Sequence, residues 1–136
     1  MEDKLNFFLK EIVKNEIGAS DAAIVEIRRM LDFELPQEYV EIMKEFDGGE
    51  GEVGDNGWLC LFPIEDLLAI NKAYSLLMEQ IPKYFLFGKD AADTGYAFHK
   101  TNQSIHSFGL MSDFRTDSIE FCGNSFSEFL EYLYSQ

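Results

Sequence analysis

Apolar positions along the chain switch between a spacing of about 3.6 residues and a spacing of two, and each switch marks an element. Leu5, Phe8, Leu9, Ile12 and Val13 follow the helical spacing, so the chain is expected to open on an amphipathic helix that stops between Asn15 and Gly18. Ser20 or Asp21 can cap a second helix with Ile24, Ile27 and Leu31 as its apolar stripe and Arg28 and Arg29 on the wet side, ending before Leu35. Pro36 then suits a first helical turn, and Tyr39, Ile42, Met43 and Phe46 follow at i, i+3, i+4 and i+7. Gly48 and Gly49 are expected to close this third helix, because either can take the left-handed conformation of a C-cap. Residues 50–57 then read as a loop.

The run WLCLFPI from Trp58 to Ile64 predicts a strand that Pro63 ends or bends. Helical spacing returns through Leu67, Leu68, Ile70, Tyr74 and Leu77, with Glu65 and Asp66 placed for the positive end of the helix dipole. YFLFG at Tyr84–Gly88 predicts a buried strand and residues 89–94 a loop. Residues 95–99 and 104–109 predict a hairpin around Asn102 and Gln103. Ile119–Cys122 can form a last strand. Ser125 and Glu128 then form a capping box for a helix bearing Phe126, Phe129, Leu130 and Leu133. Helices at both ends with strands between them predict one α+β domain over residues 1–136, a mainly antiparallel central sheet packed with N-terminal, middle and C-terminal helices.

Composition sharpens this. The chain has 136 residues, enough to bury roughly two-thirds of its unfolded surface. Its 13 Phe against one Trp predict a phenylalanine-rich core. Asp and Glu number 25 against 11 Lys and Arg, for a formal charge of −14. That field repels nucleic acid and anionic lipid and attracts basic partners, although the same acidity also serves plain solubility. No apolar run has the form of a secretory signal or the length of a membrane span, so the cytoplasm is the expected compartment.

Candidate chemistry is sparse. Cys60 and Cys122 stand alone in apolar surroundings and read as buried reduced thiols. The segment GGEGEVGDNG lacks the GK[ST] ending of a phosphate cradle and the ligand order of an EF-hand. GNSFSE has the spacing of a helix cap, not of a nucleophile elbow. An even hairpin loop centred on Asn102 and Gln103 would set His99 opposite His106, a metal-like pair that lacks a third ligand nearby in sequence; exposed strand histidines are the simpler reading. No cofactor is expected, and a small metal-dependent enzyme is the weakest of the function classes.

Four pieces occur in a fixed order: LPQEYVEIMKEFDGGEG at Leu35–Gly51, PIEDLLAIN at Pro63–Asn71, FGKDAADTGYAFH at Phe87–His99 and SFSEFLEYL at Ser125–Leu133. In this the chain resembles the SUKH superfamily, which includes the yeast cell-wall-assembly regulators and many bacterial immunity proteins, over nearly everything from about residue 20 onward. It departs from the family pattern at Asp47, where Asn usually precedes the paired glycines, and at Ala91 and Ala92, where a glycine is often seen. The resemblance implies an α+β fold and a non-catalytic protein-binding module, an immunity protein that neutralises a cognate toxin, often a nuclease, by direct binding. An intracellular regulatory scaffold is the alternative. Acidity fits the first reading, because a nuclease is basic where it grips phosphate. The expected contact residues are Asp47, Glu50, Glu52, Asp55 and Trp58, with Asp90, Asp93 and Asp113 as a second group. For Trp58 a core position is the simpler reading than a contact, and Gly48 and Gly49 are expected to shape the backbone.

Overall fold

The computed structural model describes residues 3–136. The first two residues of the expected N-terminal segment therefore lie outside it. In chain order the helices are α1 (Asp3–Phe8), α2 (Asp21–Met30), α3 (Gln37–Glu45), α4 (Leu67–Ala73), α5 (Ser75–Met78) and α6 (Phe126–Tyr134). The strands are β1 (Ile12–Lys14), β2 (Gly49–Val53), β3 (Gly57–Leu61), β4 (Tyr84–Lys89), β5 (Thr94–His99), β6 (Ile105–Gly109) and β7 (Glu120–Gly123). They form one antiparallel sheet in sequence order, so the α+β architecture read from the chain holds.

Caps set the helix starts. Ser20 Oγ accepts from the Ala23 amide at 3.1 Å and Ser125 Oγ from the Glu128 amide at 3.2 Å, each satisfying a donor that has no partner within its helix. The reciprocal arm of the second cap runs from the Asn124 amide to Glu128 Oε1, one residue before the position a capping box uses. Glu38, in the first turn of α3, takes the Ser127 amide at 3.1 Å and also its hydroxyl, which ties the start of α6 to α3.

One face of the sheet meets α3 and α6 in an aromatic core. Phe87 and Phe98 stack at 4.1 Å between ring centroids, with Phe126, Phe129 and Tyr39 around them. Phe87 is the extra residue of a bulge between Leu86 and Gly88. Tyr39 is 0% exposed and its hydroxyl has no hydrogen-bond partner among the described residues. Burial, helped by the charge of Asp47, holds this phenol far above its ordinary pKa. Tyr39→Phe is accordingly expected to raise stability by about 1 kcal/mol, since it removes an unpaired buried dipole and keeps the ring. Urea denaturation checks this, and a loss of stability would reveal a partner for the hydroxyl.

The other face is covered in part. Beyond Pro63 the chain leaves the sheet through a 3-10 turn (Ile64–Asp66), α4 and α5, and α4 packs against β4. The single helix expected over this stretch is broken at Tyr74, whose backbone leaves helical values. Phe114, in the loop after β6, packs edge-on against Phe108.

Three expectations need correction. The first helix ends at Phe8 and Ile12–Lys14 is a strand, because β2 offers glycines at Gly49 and Gly51 opposite it. A Cβ on either glycine would come within 2.4–2.5 Å of a backbone carbonyl of Val13 or Glu11, so only glycine admits this close pairing. Residues 50–57 are a hairpin and not a loop. Glu50 and Glu52 point to solvent while Gly51 and Val53 are buried. The paired glycines do not cap α3, which ends at Glu45 with Phe46 extended. Instead Gly48, at φ +91°, turns the chain into β2 against the carbonyl of Leu61.

Candidate functional site

The β2–β3 turn (residues 54–56) and the β4–β5 turn (residues 90–93) come out at the same end of the sheet, because β3 and β4 are antiparallel with Cys60 opposite Lys89. The C-terminus of α6 closes that end: Asn56 Nδ2 donates to the Gln136 carbonyl at 3.0 Å, and Gly54 and Gly57 pass against the backbone of Tyr134 and Leu133. Between these pieces lies a cleft of about 340 Å³ whose walls include Asp90, Tyr96, Glu120 and Tyr132.

Each side chain there has a traceable position. Asp90 Oδ1 accepts from the amides of Ala92 at 2.8 Å and Thr94 at 3.0 Å, so this carboxylate folds its own turn. Tyr96 donates to the carbonyl of Trp58 at 3.3 Å. Burial first, and then the charge of Asp90, push its phenol well above the ordinary tyrosine range, so it stays a neutral donor. Burial also raises the Tyr132 phenol and the Cys122 thiol beside it. Among the described residues at this cleft, burial thus keeps the thiol and both phenols protonated. The cleft offers carboxylates, aromatic edges and backbone carbonyls, which suit a cationic or hydrogen-bond-donating partner.

The predicted contact residues divide. Asp55 and Asp93 are exposed at this end, and Asp90 lies beside them. Glu50 and Glu52 project from the solvent face of β2, with Trp58 opposite Glu52 and its indole Nε1 donating to Glu50 Oε2 at 3.1 Å. Trp58 is half-buried on that face and belongs to no core cluster. Asp47 sits at the opposite end of the hairpin, where Oδ1 accepts from the Ile64 amide at 2.8 Å and starts the 3-10 turn. Asp113 is drawn into an ion pair with Arg115 at 2.7 Å, which lowers its carboxyl pKa and offsets its charge locally. Glu120, Tyr96 and Tyr132 went unpredicted. Their only sequence signal was membership of a strand or helix, and the meander is what gathers them.

The histidine pair is also corrected. His106 lies opposite Ala97 and Ile105 opposite Phe98, with residues 100–104 between the strands, so His99 is offset by two positions along the same face. Their ring centroids are 6.1 Å apart, and Tyr84 contacts both rings edge-on at 5.0 and 5.2 Å. His99 Nδ1 accepts from the Thr101 amide, and His106 Nε2 is 2.8 Å from Ser104 Oγ. Burial, then the neighbouring His99, lower the His106 pKa. Among the described residues no group of three or more His, Cys, Asp or Glu side chains is placed to hold a metal ion, and no helix is long and apolar enough to cross a membrane.

Comparison with known families gives a match to the family described as SMI1 / KNR4 (SUKH-1) over residues 18–132, most of the chain. No curated protein matches it significantly.

Proposed function

Because the chain belongs to the SMI1 / KNR4 family (SUKH-1), we propose that it is a non-catalytic binding module, an immunity protein that neutralises a basic cognate toxin, such as a nuclease, in the cytoplasm. The observation that carries this reading is the convergence of two acidic turns at one end of the sheet, Asp55 from one and Asp90 and Asp93 from the other, around a cleft with aromatic walls. In a chain of net charge −14 such an end steers a basic surface toward itself and then blocks it. Asp47 and Asp113, although expected as contacts, serve the fold and an internal ion pair, and the proposal does not require them.

The test is co-purification with the basic catalytic domain of a toxin encoded beside the gene. Binding is expected to weaken by about tenfold or more between low and high salt, with the loss mainly in the association rate. Asp55→Lys with Asp93→Lys should reproduce much of that loss at low salt. Failure across a set of basic toxin domains, with recovery of housekeeping partners only, would replace this reading with that of a regulatory scaffold.

A further inference from the structure

Among the described residues, no helix packs over the outer side of the β2–β3 pair. After β3 the chain crosses through α4 and α5, which puts helix α4 against β4, and the loop after β6 extends that cover over Phe108. On the side of β2 and β3 that faces away from α6, Glu50 and Glu52 are exposed and Trp58 and Cys60 are half-buried, with Val13 from β1 at 77% exposure. Lys89, opposite Cys60, bounds the surface on the β4 side.

Two features make this more than bare sheet. Trp58 is the only tryptophan of the chain, and its bond to Glu50, diagonal to it across the strand pair, holds the indole along the surface instead of letting it stand into solvent. Glu52 is its direct cross-strand neighbour, so the indole carries one carboxylate bonded at its N–H edge and has a second glutamate directly across the strand pair. A planar cation fits that pattern best: guanidinium stacks on an indole through cation–π attraction and presents its edge donors to carboxylates. A second copy of this chain fits poorly, because it would bring its own Glu50 and Glu52 onto these and add to the repulsion of two chains of charge −14.

We propose that this β2–β3 face is a docking surface for an arginine-bearing segment of a basic partner protein, with the guanidinium on Trp58 between Glu50 and Glu52. The proposal rests on the reading of the chain as a binder of basic proteins, and it adds a second contact region beside the acidic end.

The lone tryptophan makes the test direct. The full chain is titrated with a peptide of four arginines alternating with glycine, following Trp58 emission and heat in parallel. A saturating emission change is expected, with affinity falling about tenfold in Glu50→Gln/Glu52→Gln and about threefold for the matching lysine peptide. Both glutamates are exposed, so the variant should fold, which circular dichroism verifies. Asp55→Asn/Asp93→Asn should leave the peptide affinity within about twofold. Heat without an emission change, or an affinity that follows Asp55 and Asp93 instead of Glu50 and Glu52, overturns the proposal. So does concentration-dependent dimerisation that shifts Trp58 emission without peptide. If a toxin binds and the Glu50/Glu52 variant binds it equally well, the face fails while the immunity reading stands. If the peptide titrates Trp58 but no basic toxin binds, the face stands and the immunity reading fails.

Discussion

Phe87→Ala is expected to lower the unfolding free energy by about 3–5 kcal/mol, the usual range for removing a phenylalanine from a core that cannot close over the gap. Phe87 is 0% exposed, and the rings around it are held by α3 (Tyr39), β5 (Phe98) and α6 (Phe126 and Phe129), so none can move in without displacing its own element. A domain of this size has about 5–15 kcal/mol in total, so the variant would stand near the edge of folding. For a slope of about 2 kcal/mol/M the urea midpoint should fall by about 2 M with the slope unchanged. Phe87→Leu, which keeps most of the volume but loses the stacked geometry with Phe98, should cost no more than about 1.5 kcal/mol. Phe121→Ala, at a 53% exposed position, should cost less than about 1 kcal/mol. If Phe87→Ala and Phe121→Ala cost the same, the aromatic core would not be the main source of stability.

How far these features could be read from the chain depends on how local their causes are. α2 and α6 follow from their own spacing and serine caps, α3 from its own spacing, and β4 from its own apolar run. β1 could not be read that way. Three residues carry no period, and they became a strand because Gly49 and Gly51, far along the chain, admit a close neighbour. β2 does alternate, but its outward residues are glutamates and its inward ones include a glycine, so its pattern is drawn in residues of low strand preference. The hairpin register slipped because Gln103 takes the left-handed conformation, at φ 62°, that sequence reasoning reserves for Gly or Asn. Asn102 Oδ1, accepting from the Ser104 amide and hydroxyl, fixes that loop instead. The candidate site was half legible for the same reason. Acidic turns are visible as composition, whereas their meeting at one end is a consequence of strand order.

Asn71→Leu should be the most damaging change outside the apolar core, with an expected loss of about 2–4 kcal/mol. Past Leu61 the third strand turns away at Pro63, so the fourth has no strand neighbour at Leu86 on that side. The side chain of Asn71, on α4, takes the vacant place. Its Oδ1 accepts from the Leu86 amide at 2.9 Å, and its Nδ2 donates to the Leu86 carbonyl at 2.9 Å and to the Leu67 carbonyl at 2.8 Å. Leu86 is 0% exposed, so leucine at position 71 would leave both of its backbone groups without a partner and shielded from water. Helix propensity works the other way, because leucine is the better helix former by about 0.5 kcal/mol, and the polar loss outweighs it. Asn71→Asp separates the two halves of the bond pair. It keeps the acceptor for the Leu86 amide but sets a carboxylate against two carbonyl oxygens, so it should destabilise at neutral pH and recover in part on acidification, when the protonated acid can donate again. Hydrogen exchange gives the local readout: the Leu86 amide should lose protection in Asn71→Leu well beyond the global change, while the Phe62 amide, bonded to the Phe87 carbonyl at 3.3 Å, follows the global change alone. Equal loss of protection at both would mean that Asn71 acts only through overall stability, and the role of its amide as a substitute for a strand would be wrong.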